Sequence, residues 1–414
     1  MTAAELLALI CAAILFQLAV WVGWTVWQHR AADSSALPTP LADARLQADA
    51  HWAGWREFRV VQRCFEDSAK SQCSFYLEPL DGQALAAFKP GQFLTFALKV
   101  TARASDGSAS TTDIRRCYSL SDQPDSSHYR VTIKRVPAPI DHPEFEPGLS
   151  SRHFHDHVQV GDLLRVKAPA GRFFIDPDPN VPVVLIGAGI GITPMMSMLR
   201  WCLDHQPQRR VHLYYGLRNR REQAFKAVLE GLGTSHPALT LNVVYSRPGE
   251  SDVLGRDYQH AGHVDVGLLR RTLPQGRHHF YVCGPSAMLQ TLVPALADWG
   301  VPVGDIHFEA FGPASVQWSG MGVTAAPAVA GLEVRFGRSG RTLIWDGQDA
   351  TLLDFAERHS IAVESGCRSG SCGSCETRLL EGSVRYEHTP DHDVAQGHCL
   401  LCVGRPSTSL VLEV

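Results

Sequence analysis

The chain has 414 residues, too many for one hydrophobic core, and its composition, 45% hydrophobic and 19% charged, is that of folded domains rather than of a disordered segment. With 38 Lys and Arg against 42 Asp and Glu, a formal net charge of −4, the totals give no support to nucleic-acid binding. Its 11 cysteines exclude a secreted disulfide scaffold, because the chain is long and five of them (Cys367, Cys372, Cys375, Cys399 and Cys402) crowd into 36 positions.

In chain order, the first feature is the nearly uninterrupted apolar run from Leu6 to Trp27, in which Gln17 and Thr25 are polar. As a helix its 22 residues would cover about 33 Å, enough for a hydrocarbon core of roughly 30 Å. Trp21, Trp24 and Trp27 gather at one end, where aromatic rings favour the headgroup level, and Arg30 follows. The start MTAAE lacks the positive charge of a cleaved signal peptide. The pattern predicts a transmembrane helix and anchor over 1–30, touching the lipid bilayer through residues 6–27, and a flexible tether over 31–50. Arg30 places the remaining domains in the cytoplasm, giving a single-pass protein of the inner (cytoplasmic) membrane.

From about Trp52, short apolar runs alternate with turns. Phe58–Val61, Ser74–Leu77, Phe93–Leu98, Arg116–Leu120, His128–Lys134 and Leu163–Lys167 are predicted strands, and their spacing suggests a small antiparallel β-barrel over 51–174. Two of its segments carry chemistry. In Arg116-Cys117-Tyr118-Ser119 a guanidinium fork suits a phosphate, a tyrosine ring can lie on a flat heterocycle, and a hydroxyl can meet a ring nitrogen. Gly148 to Phe154, with Ser150 and Ser151, enters a short helix whose first N–H groups suit a pyrophosphate. Taken singly, an exposed arginine and a serine helix cap explain both segments equally well.

Over 175–312 strands alternate with helices, the pattern of a parallel sheet covered on both faces. The apolar run Val181–Ile186 leads into Gly187, Gly189 and Gly191, and a helix is expected to open with Thr193 as its cap and Pro194 at its first position. This is an arrangement for a dinucleotide phosphate. Cys283-Gly284-Pro285 ends a later strand, where open sheets of this kind bind ligands, although a buried core cysteine is the bland alternative.

Residues 313–331, rich in Gly, Ala, Pro and Ser, read as a linker that lets the last domain swing. In 332–414 the spacing Cys367-x4-Cys372-x2-Cys375, followed by Cys402, is that of plant-type [2Fe–2S] ligands. Zinc normally pairs two short C-x-x-C knuckles, whereas here three cysteines share one loop and the fourth stands alone. Cys399 is either a core thiol or an alternative ligand.

These segments, in this order, resemble the ferredoxin–NAD(P)+ reductase superfamily, in the branch of flavohaemoprotein and oxygenase reductases that carries a C-terminal plant-type ferredoxin domain. The resemblance covers roughly residues 52–414. It implies a multidomain protein with an FAD barrel, an NAD(P)-binding α/β domain and a β-grasp-like ferredoxin domain, using FAD, NAD(P)H and a [2Fe–2S] cluster. It implies that Arg116 holds the FAD phosphate, Tyr118 lies against the isoalloxazine and Ser119 sits near its reactive edge. The next flavin strand would supply His128, Val131, Ile133 and Lys134, and the phosphate turn Gly148, Ser150 and Ser151. The nicotinamide nucleotide would meet Gly187, Gly189, Gly191, Thr193 and Pro194, then Gly284, Pro285 and Met288. Cys283, Ser119 and Glu309 would be the catalytic group, with Phe311 beside the flavin. Arg218, Ser246 and Arg247 would face the adenosine ribose without deciding between NADH and NADPH. The chain departs from the family pattern at Val403, where glutamine usually follows the last ligand, and in having no globin domain before the barrel. The expected activity is hydride transfer to FAD, then single-electron transfer through the cluster to a membrane-associated oxygenase, desaturase or haem protein. Direct reduction of quinone or another small acceptor is the alternative.

Overall fold

The computed structural model describes residues 52, 54–103, 109–124, 127–138, 147–311, 331–368, 370, 372–386, 390 and 392–414. Strand β1 (Arg56–Phe65) shows how the first domain arises. Arg56, Phe58 and Val60 are buried while Glu57 and Arg59 face solvent, the period of two that presents one face to a core. With β2 (Gln72–Pro79), β3 (Phe93–Arg103), β4 (Ala109–Ser119), β5 (Tyr129–Lys134) and β6 (Leu163–Ala170) it forms an antiparallel sheet of order β4-β3-β6-β1-β2-β5. A bridge from Leu120, just past β4, to Val131 in β5 joins the two outer strands and closes the barrel. Helix α1 (Leu149–Asp156) plugs it with Phe154, which packs edge-on against Phe75, Phe96 and Tyr118 at centroid distances of 5.2–5.5 Å. That plug fixes where the opening turn of α1 lies.

The second domain is a six-stranded parallel sheet of order β10-β9-β8-β7-β11-β12. Its strands are β7 (Val183–Ala188), β8 (Val211–Leu217), β9 (Leu239–Tyr245), β10 (His260–Ala261), β11 (His279–Gly284) and β12 (Ile306–Ala310). β7 is apolar along its length and β11 is buried throughout, because helices cover both faces. These helices are α2 (Ile192–His205), α3 (Lys226–Ser235), α4 (Val266–Thr272) and α5 (Ser286–Asp298). From β7 the chain winds outward through β8, β9 and β10, then returns to β11 on the other side. The reversal leaves a crevice at the carboxyl ends of β7 and β11, where ligands bind in such sheets.

The third domain has a sheet of order β14-β13-β19-β15-β17 and a separate β16-β18 pair. Its strands are β13 (Leu332–Phe336), β14 (Arg341–Trp345), β15 (Glu376–Glu381), β16 (Val384–Tyr386), β17 (His398–Leu400), β18 (Gly404–Pro406) and β19 (Leu410–Leu412). Helix α6 (Leu352–Arg358), capped by the Thr351 hydroxyl accepting from the Asp354 N–H at 3.2 Å, buries Leu352, Leu353, Phe355 and Ala356 against the sheet.

Residues 51–414 make one compact unit. The barrel and the parallel-sheet domain are joined by backbone bonds: the Phe225 N–H donates to the Glu66 carbonyl at 3.2 Å and the Ala69 N–H to the Arg221 carbonyl at 3.0 Å. The crossing segment is pinned as well, since the Asp176 N–H donates to the Tyr281 hydroxyl at 2.7 Å and Arg209 Nη1 donates to the Asp176 carbonyl at 2.7 Å. The ferredoxin domain meets the barrel through side chains instead. Lys167 Nζ donates to the Cys372 carbonyl at 3.2 Å and Arg116 Nη1 to the Ser365 carbonyl at 3.4 Å.

Two expectations change. Among the described residues no helix is long and apolar enough to cross a membrane, which overturns the assignment to the inner membrane as a single-pass protein. The run at 6–27 on which it rested, with the anchor, tether and lipid contact read from it, lies outside the described residues, as does nearly all of the expected linker. That assignment rested on the apolar length of the run, the tryptophans at its end and Arg30, all of which lie outside the described residues. The second change is at α2, which starts at Ile192 after Gly191, so Thr193 lies inside its first turn and its hydroxyl donates back to the Ile190 carbonyl at 2.9 Å. Pro194 is then the third helical residue, still at a position where an N–H would have no helical partner, so its missing donor costs nothing.

Candidate functional site

One cavity of about 450 Å³ is bordered by all three domains. The barrel contributes Arg116, Tyr118 and Ser119 from the end of β4, Ile133 and Lys134 from β5, and Gly148, Ser150 and Ser151 from the opening of α1. The parallel-sheet domain adds Thr193, Glu309 and Phe311, and the ferredoxin domain adds Ser365, Gly366, Cys367 and Arg368. Arg116 and Cys367, both singled out in the sequence, therefore meet around one space although 251 positions separate them.

Each wall has a local cause. Tyr118 is held by a 2.8 Å hydrogen bond between its hydroxyl and Ser150 Oγ, which ties β4 to α1. Ser151 Oγ donates to the Gly148 carbonyl at 3.0 Å and accepts the Val136 N–H at 3.1 Å, fixing the turn. Gly148 must be small there, since a Cβ would stand 2.8 Å from Ser151 Oγ and 2.9 Å from Val136 Cβ. Ser119 Oγ donates to Glu309 Oε2 at 3.4 Å across the domain boundary. Burial raises the Glu309 carboxyl to about 8, the neighbouring Cys367 adds to the rise, and the Ser119 hydrogen bond opposes it. Lys134 is paired with Glu222 at 3.3 Å, and Glu222 with Arg218 at 2.9 Å.

Other predicted residues lie outside this cavity. Gly187, Gly189 and Gly191 form the turn from β7 into α2, and Gly189 has φ +54°, a left-handed conformation that favours glycine. A Cβ on Gly191 would collide with the backbone of Cys283 and Gly284, so this glycine is what lets the turn lie on β11. The Cys283 thiol is fully buried, and burial, with Glu309 second, raises its pKa well above the ordinary thiol value. A Cβ on Gly284 would stand 2.6 Å from the methyl carbon of Met288, and Pro285 immediately precedes α5. Arg218, Ser246 and Arg247 converge at the ends of β8 and β9, with the Arg247 N–H donating to the Arg218 carbonyl at 2.9 Å. His128 packs its ring against Tyr76, and Val131 is buried in the barrel core.

The cysteine loop fits an iron–sulfur group. The N–H groups of Cys372 and Cys367 point at each other's sulfur at 3.3 and 3.2 Å, Ser374 N–H at Cys372 Sγ at 3.5 Å, and Cys402 N–H at Cys375 Sγ at 3.4 Å. A Cβ on Gly366 would stand 2.8 Å from Cys372 Sγ, so the backbone must pass bare. The thiols form two pairs, Cys367 with Cys372 and Cys375 with Cys402, the latter sharing a hydrogen bond that lowers Cys375 and raises Cys402. Cys399 is buried on β17, opposite Thr377 of β15.

Motif reading missed Cys117 and the ferredoxin residues Ser365 and Arg368 on the cavity wall. Cys117 lay inside a quoted motif without a role. The others carry no local signal, because their place depends on how the third domain docks.

Residues 185–293 match the oxidoreductase NAD-binding domain family, and residues 336–407 the 2Fe-2S iron-sulfur cluster binding domain family. The flavohemoprotein of Bacillus cereus is 36% identical over 286 residues, covering 66% of this chain and 68% of that protein. The chain spans 61–68% of the length of the first curated relatives it matches. The flavohem-like FAD/NAD binding domain of nitric oxide dioxygenase from Vibrio cholerae superposes with a TM-score of 0.52 at 32% identity, covering 62% of this chain and 99% of that one. The Amycolatopsis cytochrome P450 reductase GcoB has a TM-score of 0.50 at 25% identity, covering 63% of this chain and 71% of that one. The two domains matched by the flavohemoprotein, together with the iron–sulfur domain beside them, account for the three-walled cavity: the chain belongs to the flavohemoprotein-type FAD/NAD reductase family with a C-terminal 2Fe-2S domain, and is an NAD(P)H-dependent electron-transfer reductase.

Proposed function

We propose that this reductase supplies single electrons to an oxygenase-type protein partner, and that the three-domain cavity is where its redox groups meet. The observation that carries the reading is that the flavin strand β4, Glu309 and the ligand Cys367 border one space. The likeness to a cytochrome P450 reductase supports the kind of partner. When bound, FAD takes a hydride from the reduced nicotinamide and the [2Fe–2S] centre carries electrons singly, so the protein's part is binding, orientation and electrostatics.

In this reading Arg116 and the α1 opening at Gly148–Ser151 hold the FAD phosphates, and Ser150 fixes Tyr118 as one wall for the flavin ring. Ser119 and Glu309 sit at its reactive edge. Gly187, Gly189 and Gly191 let the nicotinamide nucleotide approach the start of α2, with Thr193 and Pro194 in its first turn and Cys283, Gly284, Pro285 and Met288 closing the far side. Arg218, Ser246 and Arg247 lie where the adenosine end would reach. Cys367 and Cys372 hold one iron, Cys375 and Cys402 the other. We take the domains as a barrel over 51–174, a nucleotide domain over 175–312 and a ferredoxin domain over 332–414, limits that fall in the segments between Ala170 and Val183 and between Ala310 and Leu332.

Anaerobic addition of NADH or NADPH to purified protein should bleach the flavin and then develop the reduced-cluster EPR signal. Bleaching without that signal would overturn the proposed route to the partner. Glu309 makes a further prediction. A carboxyl raised from 4.5 to about 8 is neutral below that pH and becomes anionic above it. Flavin reduction should therefore slow as pH rises through about 8, because the new charge opposes incoming hydride, and Glu309→Gln should flatten the profile in stopped-flow measurements. For stability, a folded pKa above the unfolded one contributes most below 4.5, and the contribution is lost as pH rises through about 8. The glutamine variant should lose that component of the pH dependence.

A further inference from the structure

Asp122, three positions after the last residue of β4, has no part in the site described above. Its carboxylate receives guanidinium groups from two different domains. Arg130 of β5 places Nη2 3.3 Å from Asp122 Oδ2, and Arg200 of α2 places Nη1 2.9 Å from Oδ1. The Asp122 and Arg130 side chains are only 13% and 5% exposed, so little water competes for these charges. Arg130 is held by more than Asp122. Its Nη2 also donates to the Ser121 carbonyl, and its guanidinium carbon stands 5.1 Å from the ring centroid of Phe225, a residue of the nucleotide domain. Phe225 has φ +58°, a left-handed conformation that a large side chain keeps only where its surroundings impose it. Its N–H donates to the Glu66 carbonyl at 3.2 Å. Glu66, Phe225, Arg130, Asp122 and Arg200 thus form one unbroken strip of contacts that passes three times between the two domains.

The two ends of this strip lead to the two halves of the reaction. On the barrel side, β4 ends at Ser119 and β5 at Lys134, both on the cavity wall. On the other side, α2 opens at Ile192 beside the glycine turn, and Arg200 lies about 12 Å further along the same helix. A rigid helix transmits any shift at Arg200 to its opening turn. We infer that Asp122 is a positioning residue: by bridging Arg130 and Arg200 it locks α2 against the flavin strands and so sets how closely the nicotinamide approaches the flavin. Hydride transfer depends steeply on that placement, since an error of about 1 Å can cost roughly a hundredfold in rate. A carboxylate shared by two guanidinium groups suits the task, because its two oxygens fix direction as well as distance.

The role of Asp122 in hydride transfer rests on the flavin and nicotinamide reading proposed above, and the experiment separates the two. The full-length holoprotein, unsubstituted and as Arg200→Gln, Arg200→Lys and Asp122→Asn, is mixed anaerobically with NADH or NADPH in a stopped-flow spectrometer. Arg200→Gln should lower the limiting rate of flavin reduction about tenfold or more, while the nucleotide dissociation constant stays within about twofold. The long-wavelength absorbance of stacked nicotinamide and flavin should weaken with it. Arg200→Lys, which keeps the charge, should recover most of the rate. Amide hydrogen exchange gives a readout independent of the cofactors: in Arg200→Gln the peptides holding Ala69 and Phe225 should exchange about tenfold faster, with β7 unchanged. Asp122→Asn removes the shared partner and should show the larger effects. Should it fail to fold, Arg200→Gln decides, since the Arg200 side chain is 35% exposed and its loss leaves the Asp122–Arg130 pair intact. An unchanged limiting rate in Arg200→Gln overturns the positioning role, even if the dissociation constant rises or the melting temperature falls. If neither nucleotide reduces the flavin of the unsubstituted protein, the reading beneath is overturned, and the exchange measurement still decides whether Asp122 locks the two domains.

Discussion

Cys402→Ser is expected to abolish the [2Fe–2S] signal and to lower reduction of a one-electron protein acceptor by more than about a hundredfold, while NAD(P)H still reduces the flavin. Cys402 is the member of the second pair that arrives from a distant part of the chain, and its N–H already points at Cys375 Sγ at 3.4 Å. A serine hydroxyl titrates far above a thiol and is a poor ligand for iron, so one iron would keep a single protein ligand. Flavin reduction uses the barrel and the parallel-sheet domain, which the substitution leaves intact. Ferricyanide, which can take electrons from the flavin directly, and cytochrome c, read side by side with EPR, test the split. Cys399→Ser is the companion variant. Cys399 is buried on β17, and if it were a ligand its loss would remove the signal as well. The expected result is a retained cluster, and a signal surviving in Cys402→Ser but lost in the double variant would reassign the fourth ligand to Cys399.

Gly191→Ala should cost about 3 kcal/mol or more of stability in the parallel-sheet domain and weaken nicotinamide binding at least tenfold. The position has φ −61°, so conformational freedom is not the issue. The obstacle is space, because the added methyl would press into the Cys283 carbonyl and come 2.9 Å from the Gly284 nitrogen. Overpacking that flexible side chains can relieve costs roughly 1–3 kcal/mol. Here the neighbour is the backbone of β11, fixed by ladders to both β7 and β12. Thermal melting checks the first effect and the KM for NADH the second. A methyl that left both unchanged would show that the turn does not lie on β11. Gly187→Ala is a milder control, since its Cβ contacts would be 3.0–3.1 Å, close enough to need small adjustments.

Much of this architecture was legible in the sequence, for identifiable reasons. Short apolar runs between turns gave part of each of the six barrel strands, and the continuous apolar run Val181–Ile186 gave β7, because such runs record which segments are covered. The first half of β4, Ala109 to Arg115, was missed because ASTTDIR has no apolar stripe; its place is set by full-length pairing with β3. Helix α4 and strands β10 and β16 to β19 span two to seven residues each, too short for periodicity to register. The cysteine spacing singled out four candidate ligands, and their arrangement as two pairs needed the fold. The expected Thr193 cap failed because the helix begins one turn element earlier, on the glycines.

The unequal way in which the three domains hold one another has a consequence for how the molecule comes apart. Backbone bonds join the barrel to the nucleotide domain, whereas the described polar contacts of the ferredoxin domain with the barrel come from the ends of long, charged side chains. Rising salt or mild denaturant should peel away the iron–sulfur part first, leaving a yellow remnant that still oxidises NAD(P)H but has lost its outlet. Damage would thus silence delivery before it silences fuel consumption, and such a remnant would spend reducing equivalents on dioxygen.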